Sequence, residues 1–230
     1  MKTIGIIGAM EEEIITLKES MDVLSVKNIV GVDFYMGKMD THSIVLARCG
    51  IGKVNAAICT QAMIDLFAVD YIINVGVAGG LAKDLRIGDI VVSTDLVQHD
   101  MDTTAFGDPL GTIPRMAESF FPADAQLRKI ALQAGETIDA TITPGRIASG
   151  DKFVSDPADK HHIASIFKAH CVEMEGAAIA HACYLNKIPF LVIRAISDSA
   201  DGDATVSFEK FVLHAAKNSA AMVKQMVAML

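Results

Sequence analysis

Phe190-Leu191-Val192-Ile193 is the stretch of this chain that decides the fold. It lies within a predicted strand, residues 189–196, and its four consecutive residues do not alternate between polar and apolar. An unbroken apolar run of strand length is typical of a parallel strand that is buried on both faces. The stretch therefore predicts a mostly parallel sheet that is covered by helices on both sides.

Outward from this stretch, short strand-like runs alternate with longer helix-like patterns along the whole chain. The other predicted strands are residues 4–8, 34–37, 43–48, 71–75, 89–97 and 142–149, with the second and third forming a hairpin. The first predicted helix begins at about residue 11. Five further helices are predicted over residues 53–67, 124–134, 159–168, 175–185 and 207–230. The alternation predicts an α/β protein, a three-layer α/β/α sandwich with a mixed, mostly parallel central sheet. No repeat or linker divides the chain, so residues 1–230 are expected to form one domain.

Composition excludes two classes of partner. The 230 residues carry a net charge of −8, and there is no cluster of four or more Lys and Arg. A nucleic-acid-binding protein usually carries such a basic stripe, so nucleic acid is not expected as a partner. The longest nearly apolar stretch, residues 71–82, is shorter than the roughly 20 residues that cross a bilayer. A membrane is therefore not expected as a partner either.

Cysteine spacing and glycine-rich loops argue against a bound cofactor. The four cysteines match neither a CxxC nor a zinc pattern and are typical of buried thiols in a reducing cytosol. Gly50-Ile51-Gly52-Lys53 lacks the other residues of a phosphate-binding P-loop, and Gly5-Ile6-Ile7-Gly8 lacks the dinucleotide pattern. Because the N-terminus runs at once into Glu11-Glu12-Glu13, we expect no signal peptide. The chain is expected to be cytoplasmic, without metal or organic cofactor.

Acidic residues follow or flank three of the predicted elements, at the sheet edge where ligands of α/β proteins bind. On the first helix, the 100° rotation per residue turns Glu13 towards the buried face and Glu12 away from it. Glu175 shares an inward helix face with Ile179, so it meets either ligand hydroxyls or backbone N–H groups that it caps. Asp198 ends the most apolar strand, where it is either a proton donor with a raised pKa or a turn residue.

Arg194 lies four residues before Asp198, where it can pair with a carboxylate or position a water molecule. Three inward acids and one arginine between apolar walls are typical of a hydrolase that acts on a neutral polar ligand. Cleavage at a sugar carbon needs both a general acid and a base that activates water. The pattern therefore favours cleavage of a bond at a sugar carbon, but it does not identify the ligand. The long irregular segment, residues 99–122, is expected to be functional or to lie at an interface.

Four segments together carry a resemblance that covers essentially the whole chain. They are Ile4-Gly5-Ile6-Ile7-Gly8-Ala9-Met10-Glu11-Glu12-Glu13, Gly50-Ile51-Gly52-Lys53-Val54-Asn55-Ala56-Ala57, Val172-Glu173-Met174-Glu175 and Arg194-Ala195-Ile196-Ser197-Asp198. In combination they resemble the 5′-methylthioadenosine/S-adenosylhomocysteine nucleosidases of the purine nucleoside phosphorylase superfamily. The resemblance implies a nucleoside phosphorylase-like fold, a homodimer, and a place in methionine salvage and nucleoside catabolism. It also implies hydrolysis of the N-glycosidic bond without a cofactor, releasing adenine and a 5-thioribose product.

The same resemblance implies roles for single residues. Asp198 resembles the acid that protonates N7 of adenine, with Ser197 holding its carboxylate, and Glu13 resembles the base that activates water with help from Arg194. Glu175 resembles the acceptor of the ribose hydroxyls. The expected contacts to sugar, base and 5′ tail are Met174, Phe153, Val154, Ala9, Met10, Ile51 and Phe208. Thr103, Phe106 and Pro114 are expected to reach the 5′ tail in the neighbouring subunit.

Two positions depart from the family pattern. Val77, in Gly76-Val77-Ala78-Gly79-Gly80, replaces a usual serine whose hydroxyl would contact the water molecule or the ribose. Asp108 stands where the family tends to carry an aromatic residue, at the end of the site that binds the 5′ tail. These changes bear on turnover rate and on the choice of tail.

Three alternative functions stay open on the sequence. A phosphorolytic relative would want basic residues near the attacking position, and Glu11-Glu12-Glu13 would repel phosphate. A hydrolase of aminodeoxyfutalosine would have the same fold and is not separated by sequence. A non-catalytic nucleoside-binding protein would need neither an acid nor a base, whereas this chain keeps Glu13 and Asp198.

Overall fold

The computed structural model describes residues 2–200 and 203–230. The strands in these ranges are β1 (Thr3–Gly8), β2 (Asp22–Ile29), β3 (Val32–Met39), β4 (His42–Arg48), β5 (Tyr71–Gly80), β6 (Ile90–Gln98), β7 (Phe120–Pro122), β8 (Ile142–Ser149), β9 (Cys171–Glu173) and β10 (Phe190–Asp198). The helices are α1 (Glu11–Glu19), α2 (Lys53–Phe67), α3 (Ala125–Gly135), α4 (Pro157–Phe167), α5 (Gly176–Asn186) and α6 (Ala204–Met229). The alternation of strands and helices confirms the predicted α/β class.

The strands form one mixed sheet that closes on itself at β5. Strand β5 pairs with β1 through its first half, with β9 through its last two residues, and with β10 along nearly its whole length. From β10 the sheet continues through β6, β8 and β9 back to β5, while β1, β4, β3 and β2 form an open wing. The pairings of β1 with β4 and β5, and of β5 with β10, are parallel. The carboxyl ends of these four strands therefore lie at one edge.

Strand β10 confirms the interpretation of its apolar run, because all nine of its residues are buried. Helix α6 packs against β10 and β5 and also contacts α1 and α3, whereas α2 and α5 pack against each other. The sheet thus lies between two groups of helices, as predicted. Among the described helices, none combines the length and apolar character that a bilayer crossing requires.

Some predicted boundaries were wrong for identifiable reasons. Strand β5 continues to Gly80 instead of ending at Val75, so the glycine-rich segment Gly76-Val77-Ala78-Gly79-Gly80 is a buried strand end. Strand β2 was missed because its residues are nearly all exposed and carry no burial pattern. Strands β7 and β9 were missed because three residues cannot show a period. Strand β7 and a short 3-10 helix, Thr104–Phe106, lie within the segment that was predicted to be irregular.

Candidate active site

A cavity of about 490 Å³, counted with its open mouth, lies where the carboxyl ends of β1, β9 and β10 meet the last part of β5. Eleven of the residues that were singled out in the sequence line it: Ala9, Met10, Glu13, Ile51, Val77, Phe153, Met174, Glu175, Ser197, Asp198 and Phe208. Ala78, Gly79, Val172 and Glu173 complete the lining and were not anticipated. The cavity lies at the expected edge of the sheet and has the size of a small-molecule site.

Glu13 lies in the first turn of α1 and is almost completely buried, which confirms its predicted direction; Glu12 is exposed. Its Oε2 accepts hydrogen bonds from the backbone N–H of Ala9, at 2.6 Å, and of Met10, at 3.0 Å. Its Oε1 accepts from the N–H of Val77, at 3.0 Å. Burial raises the pKa of Glu13 above its ordinary value, while Arg194 and these N–H groups oppose the rise. A rigidly held carboxylate of raised pKa is suited to accept a proton.

A β-bulge at the end of β10 directs Asp198 into the cavity. The pairing with β5 runs from Ile196 opposite Ala78 to Asp198 opposite Gly79, so that Ser197 is the extra residue. The Ser197 hydroxyl donates to Asp198 Oδ2 at 2.9 Å, and the N–H of Ala200 donates to Oδ1 at 2.8 Å. The bulge therefore both turns the carboxyl group into the cavity and supplies one of its donors.

Arg194 lies behind the cavity wall and is not among the residues that line the cavity. Its side chain is fully buried, and Nη2 donates to Asn74 Oδ1 at 2.7 Å and to Glu173 Oε2. Among the described residues Nε and Nη1 have no hydrogen-bond partner. A Cβ atom on Gly76 would overlap Nη1 and approach Glu13 Oε1 to 2.5 Å, so the guanidinium and the Glu13 carboxylate face the same glycine. The expected pairing with a carboxylate is therefore observed, and the positioning of a water molecule by Arg194 stays a prediction.

Glu173 is the polar residue that sequence reasoning missed. Besides Arg194, its carboxylate accepts from the N–H of Glu175 and of Gly176 and from the Ser149 hydroxyl. It therefore caps the N-terminus of α5, where the helix dipole also favours an anion. An acid just ahead of a predicted helix is the signal that could have found it.

Glu175 points inward, as predicted, without capping its own helix. Its Oε1 reaches across to accept from the N–H of Gly52 at 2.8 Å, and its Oε2 lies 3.7 Å from Arg194 Nη2. Burial, followed by the charge of Glu173, raises the pKa of Glu175 to about 8 against the opposing effect of Arg194. The capping role considered for Glu175 belongs to Glu173, and a largely protonated Glu175 can both donate to and accept from ligand hydroxyls at neutral pH.

Aromatic side chains form the mouth of the cavity. Phe153 is 42% exposed, and its ring meets that of Phe208 edge-on at a centroid distance of 5.7 Å. Val154 lines a smaller adjoining cavity that also contacts Phe153 and Met174. Such partly exposed rings offer stacking area to a flat ligand.

Thr103, Phe106 and Pro114 do not reach the cavity of their own chain. Phe106 is 88% exposed at the end of the 3-10 helix, and the Thr103 hydroxyl donates to Asp108 at 3.1 Å. Asp108, the residue that departs from the family pattern, is therefore hydrogen-bonded to another residue of the same segment. The three residues remain predicted contacts to a second subunit.

Comparison with known proteins places the chain among well-described relatives. The family model described as the phosphorylase superfamily matches residues 3–228. A 5′-methylthioadenosine/S-adenosylhomocysteine nucleosidase from Staphylococcus carnosus is 45% identical over 225 residues, covering 97% of this chain and 98% of the relative. A nucleosidase structure from Neisseria meningitidis, in complex with methylthio-immucillin-A, has a TM-score of 0.97 and 43% identity over the whole of both chains. A futalosine hydrolase structure from Helicobacter pylori has a TM-score of 0.96 and 40% identity, covering all of this chain and 98% of that one.

Proposed function

This chain belongs to the phosphorylase superfamily and, within it, to the 5′-methylthioadenosine/S-adenosylhomocysteine nucleosidase family, and on that premise we propose that it hydrolyses the N-glycosidic bond of both nucleosides. The products are adenine and the corresponding 5-thioribose compound. The observation that carries the proposal is a single cavity that holds two buried carboxyl groups, Glu13 and Asp198, each fixed by its own hydrogen-bond donors. Hydrolysis of a glycosidic bond needs one acid and one base in this way.

In this mechanism Asp198 donates a proton to a ring nitrogen of adenine, so that the base leaves as a neutral molecule. Glu13 takes a proton from the water molecule that attacks the anomeric carbon, and Glu175 holds the ribose hydroxyls. Breaking the C–N bond first leaves positive charge on the sugar, and the acidic lining stabilises that charge. Phe153 stacks on the base and Met174 packs against the sugar.

The charge of the cavity supports water as the nucleophile. Among the residues that the structure describes, its lining includes four acidic residues, Glu13, Glu173, Glu175 and Asp198, and no lysine or arginine. The nearest guanidinium, that of Arg194, is behind the wall and paired with Glu173. A phosphate dianion would meet repulsion in such a site, whereas a water molecule would not.

We also propose that the chain acts as a single-domain homodimer in the cytoplasm, in methionine salvage. Support for the dimer comes from exposed apolar side chains, Phe106 on its segment and Val54, Ile58 and Leu185 on α2 and α5. In such a dimer we expect Thr103, Phe106 and Pro114 of one subunit to contact the 5′ tail in the other. Sedimentation equilibrium of the wild type and of Phe106→Ala tests the assembly. A monomeric wild type would refute it.

Adenine release from 5′-methylthioadenosine in phosphate-free buffer is the experiment that tests the activity. We expect release without phosphate, at a rate that added phosphate does not change. Release that begins only with phosphate would make the protein a phosphorylase. Tight binding of the nucleoside without any release would make it a binding protein.

A second candidate function is hydrolysis of aminodeoxyfutalosine, favoured by the similarity to the futalosine hydrolase structure. The two reactions share the bond that breaks and differ in the 5′ substituent. Competition between the two nucleosides in one assay ranks them directly. A higher kcat/KM for aminodeoxyfutalosine would reverse the order of the two proposals.

A further inference from the structure

An ion pair outside the nucleoside cavity joins Lys53, at the start of α2, to Asp100, two residues after the end of β6. Lys53 Nζ lies 2.5 Å from Asp100 Oδ1, and the two side chains are 17% and 31% exposed. Burial alone would raise the pKa of Asp100, but the Lys53 ammonium group and a backbone N–H hold that pKa below its ordinary value. The carboxylate is therefore ionised, and the partial burial of the pair reduces the screening that weakens exposed pairs.

The pair is part of a closed ring of three residues. Besides the Lys53 ammonium group, Asp100 binds the backbone N–H of Asp151, which donates to Oδ2 at 2.9 Å. The Asp151 carboxylate accepts in turn from the backbone N–H of Lys53, at 2.8 Å to Oδ1. The three contacts join residues that are 47, 51 and 98 positions apart in the chain. The ring therefore connects three separate loops.

Two of these loops carry groups that bind the substrate in the proposed mechanism. Gly52 directly precedes Lys53, and its N–H donates to Glu175 Oε1 at 2.8 Å. A Cβ atom on Gly52 would approach Asp151 Oδ1 to 3.2 Å, so the Asp151 carboxylate packs against the backbone of that glycine. Phe153 lies two residues after Asp151 and lines the nucleoside cavity. The backbone that orients Glu175 and the backbone that presents Phe153 thus meet in the ring.

The end of β6 anchors the ring to the sheet. Lys53 Nζ donates to Oε1 of Gln98, the last residue of β6, at 3.3 Å, in addition to its contact with Asp100. The N–H of His99 donates to the carbonyl oxygen of Ser149 at 2.9 Å, so the pairing of β6 with β8 continues up to the ring. Lys53 and Asp100 therefore fix the two substrate-binding loops relative to paired strands.

We propose that Lys53 and Asp100 are positioning residues for nucleoside binding, which fix the Gly52 N–H against Glu175 and the Phe153 ring beside the base. The proposal rests on the proposed function, because that function assigns Glu175 to the ribose hydroxyls and Phe153 to stacking on adenine. Neither Lys53 nor Asp100 is among the residues that line the cavity, so both act through the loops that they hold. Removing either residue deletes no substrate contact and loosens two of them.

The groups that break the bond are held independently of the ring. Glu13 accepts from N–H groups of β5 and of the loop after β1, and Asp198 accepts from donors at the end of β10 and just beyond it. None of these donors belongs to the ring. A looser ring should therefore weaken the binding of the ground state and of the transition state alike, which raises KM and leaves kcat nearly unchanged.

Steady-state kinetics of Lys53→Met and Asp100→Ala with 5′-methylthioadenosine test the proposal. We expect KM to rise about three- to tenfold in each variant, with kcat within about twofold of the wild type. The double variant should be no worse than the poorer single variant, because breaking the ring at either residue already opens it. Lys53→Arg keeps the charge and should recover part of the loss. Adenine binding, measured by calorimetry, should weaken together with KM, because Phe153 contacts the base.

Arg146→Met is the matched control, because Arg146 pairs with Asp95 between β8 and β6, the strands that anchor the ring. The side chains of that pair are 31% and 21% exposed, their contact is 2.7 Å, and neither residue is among those that line the nucleoside cavity. We expect this variant to lose at least as much unfolding free energy as Lys53→Met, measured in urea, with KM unchanged. An equal rise of KM in Arg146→Met would overturn the proposal, since general destabilisation would then account for it.

The outcomes separate this inference from the proposed function. A wild-type protein that cleaves neither nucleoside would overturn the proposed function itself. A wild type that cleaves 5′-methylthioadenosine, with Lys53→Met and Asp100→Ala keeping its KM and its affinity for adenine, would overturn the positioning role alone. A fall of kcat without a change of KM would also overturn that role. Sedimentation equilibrium follows the assembly of each variant, and a rise of KM confined to variants that dissociate would overturn it as well.

Discussion

Asp198 is held by the Ser197 hydroxyl on one oxygen and by the Ala200 N–H on the other. Replacing it with asparagine keeps the volume and removes the proton donor. We expect Asp198→Asn to lower kcat by about 10³-fold or more, within the range found for general acids. Affinity for the nucleoside, measured by calorimetry, should fall only modestly. Unchanged turnover in this variant would remove Asp198 from the mechanism.

Both oxygens of the Glu13 carboxylate accept hydrogen bonds from backbone N–H groups. A glutamine at this position must point its NH₂ group at one of those donors. We expect Glu13→Gln to bind the substrate, to turn over very slowly, and to lose about 1–2 kcal/mol of unfolding free energy. Urea unfolding and adenine release measure the two effects.

Glu12→Gln, an exposed change on the same helix, should show neither effect. Normal turnover in Glu13→Gln would assign the base to another residue.

Val77 presents a β-branched apolar side chain beside Glu13, and its own N–H binds that carboxylate. Val77→Ser would add a hydroxyl within the pocket without removing the backbone donor. We expect kcat to rise or to stay level, measured as adenine release from 5′-methylthioadenosine. A large fall would mean that the apolar group is required here for packing against the substrate.

Periodicity was enough to predict the direction of Glu13, because three consecutive glutamates on a helix can present only some of their side chains to the core. The partners of Glu173 were beyond prediction, because they come from residues far apart in the chain, Ser149 and Arg194. The same is true of the bond between Glu175 and Gly52, which joins residues 123 positions apart. Local sequence patterns thus predicted which carboxyl groups face the interior. Their hydrogen-bond partners depend on tertiary contacts and could not be predicted.

At the scale of elements, the buried strands were predictable and the exposed or very short ones were not. Strand β10 carries the unbroken apolar pattern that burial on both faces dictates, and helix α2 was predicted with the bounds that it has, Lys53–Phe67. Strand β2 is stabilised by its pairing with β3 and not by burial, so its side chains carry no comparable signal. The bulge at Ser197 depends on the register between β10 and β5, which no single segment encodes.

The start of helix α2 links two loops at the cavity. The N–H of Lys53 donates to Asp151 Oδ1 at 2.8 Å, next to the Gly52 N–H that binds Glu175. Removing this acceptor with Asp151→Ala should loosen the first turn of the helix and the position of Gly52. We expect KM for 5′-methylthioadenosine to rise about threefold with kcat nearly unchanged, together with a stability loss of about 1 kcal/mol.

Asp156→Ala provides the matched control for that prediction. Asp156 is also exposed and accepts from the N–H of Ala158, at 2.7 Å, at the start of α4. We expect the same stability loss with no change of KM, because α4 contributes no residue to the cavity. A KM that rises equally in both variants would mean that general destabilisation, and not the position of Gly52, causes the effect.

At the scale of the whole molecule, closure of the sheet at β5 concentrates acidic groups in its interior. Glu13, Glu173 and Glu175 come from three separate segments and share one buried cation, Arg194. One guanidinium cannot fully compensate three buried carboxyl groups, so part of the acidic charge is removed by protonation instead. Stability of the folded protein must then depend on pH near neutrality.

The pKa of Glu175 is raised to about 8, chiefly by burial and then by Glu173, from an ordinary value of about 4.5. Between these two pH values the folded protein holds a proton that the unfolded chain has released, so unfolding free energy falls as pH rises. The loss is on the order of a few kcal/mol, since one pKa unit corresponds to about 1.4 kcal/mol. Urea unfolding of the wild type at pH 5 and pH 8, at one protein concentration, measures it.

Glu175→Gln stays neutral at every pH and should therefore lose less unfolding free energy over that range than the wild type does. Some slope should remain, because burial also raises the pKa of Glu13. Glu12→Gln, exposed on α1, should behave like the wild type. If Glu175→Gln and the wild type instead lose stability in parallel, Glu175 is already ionised in the folded protein. Its contact with ribose hydroxyls would then be that of a carboxylate acceptor alone, and the neutral-donor role would be wrong.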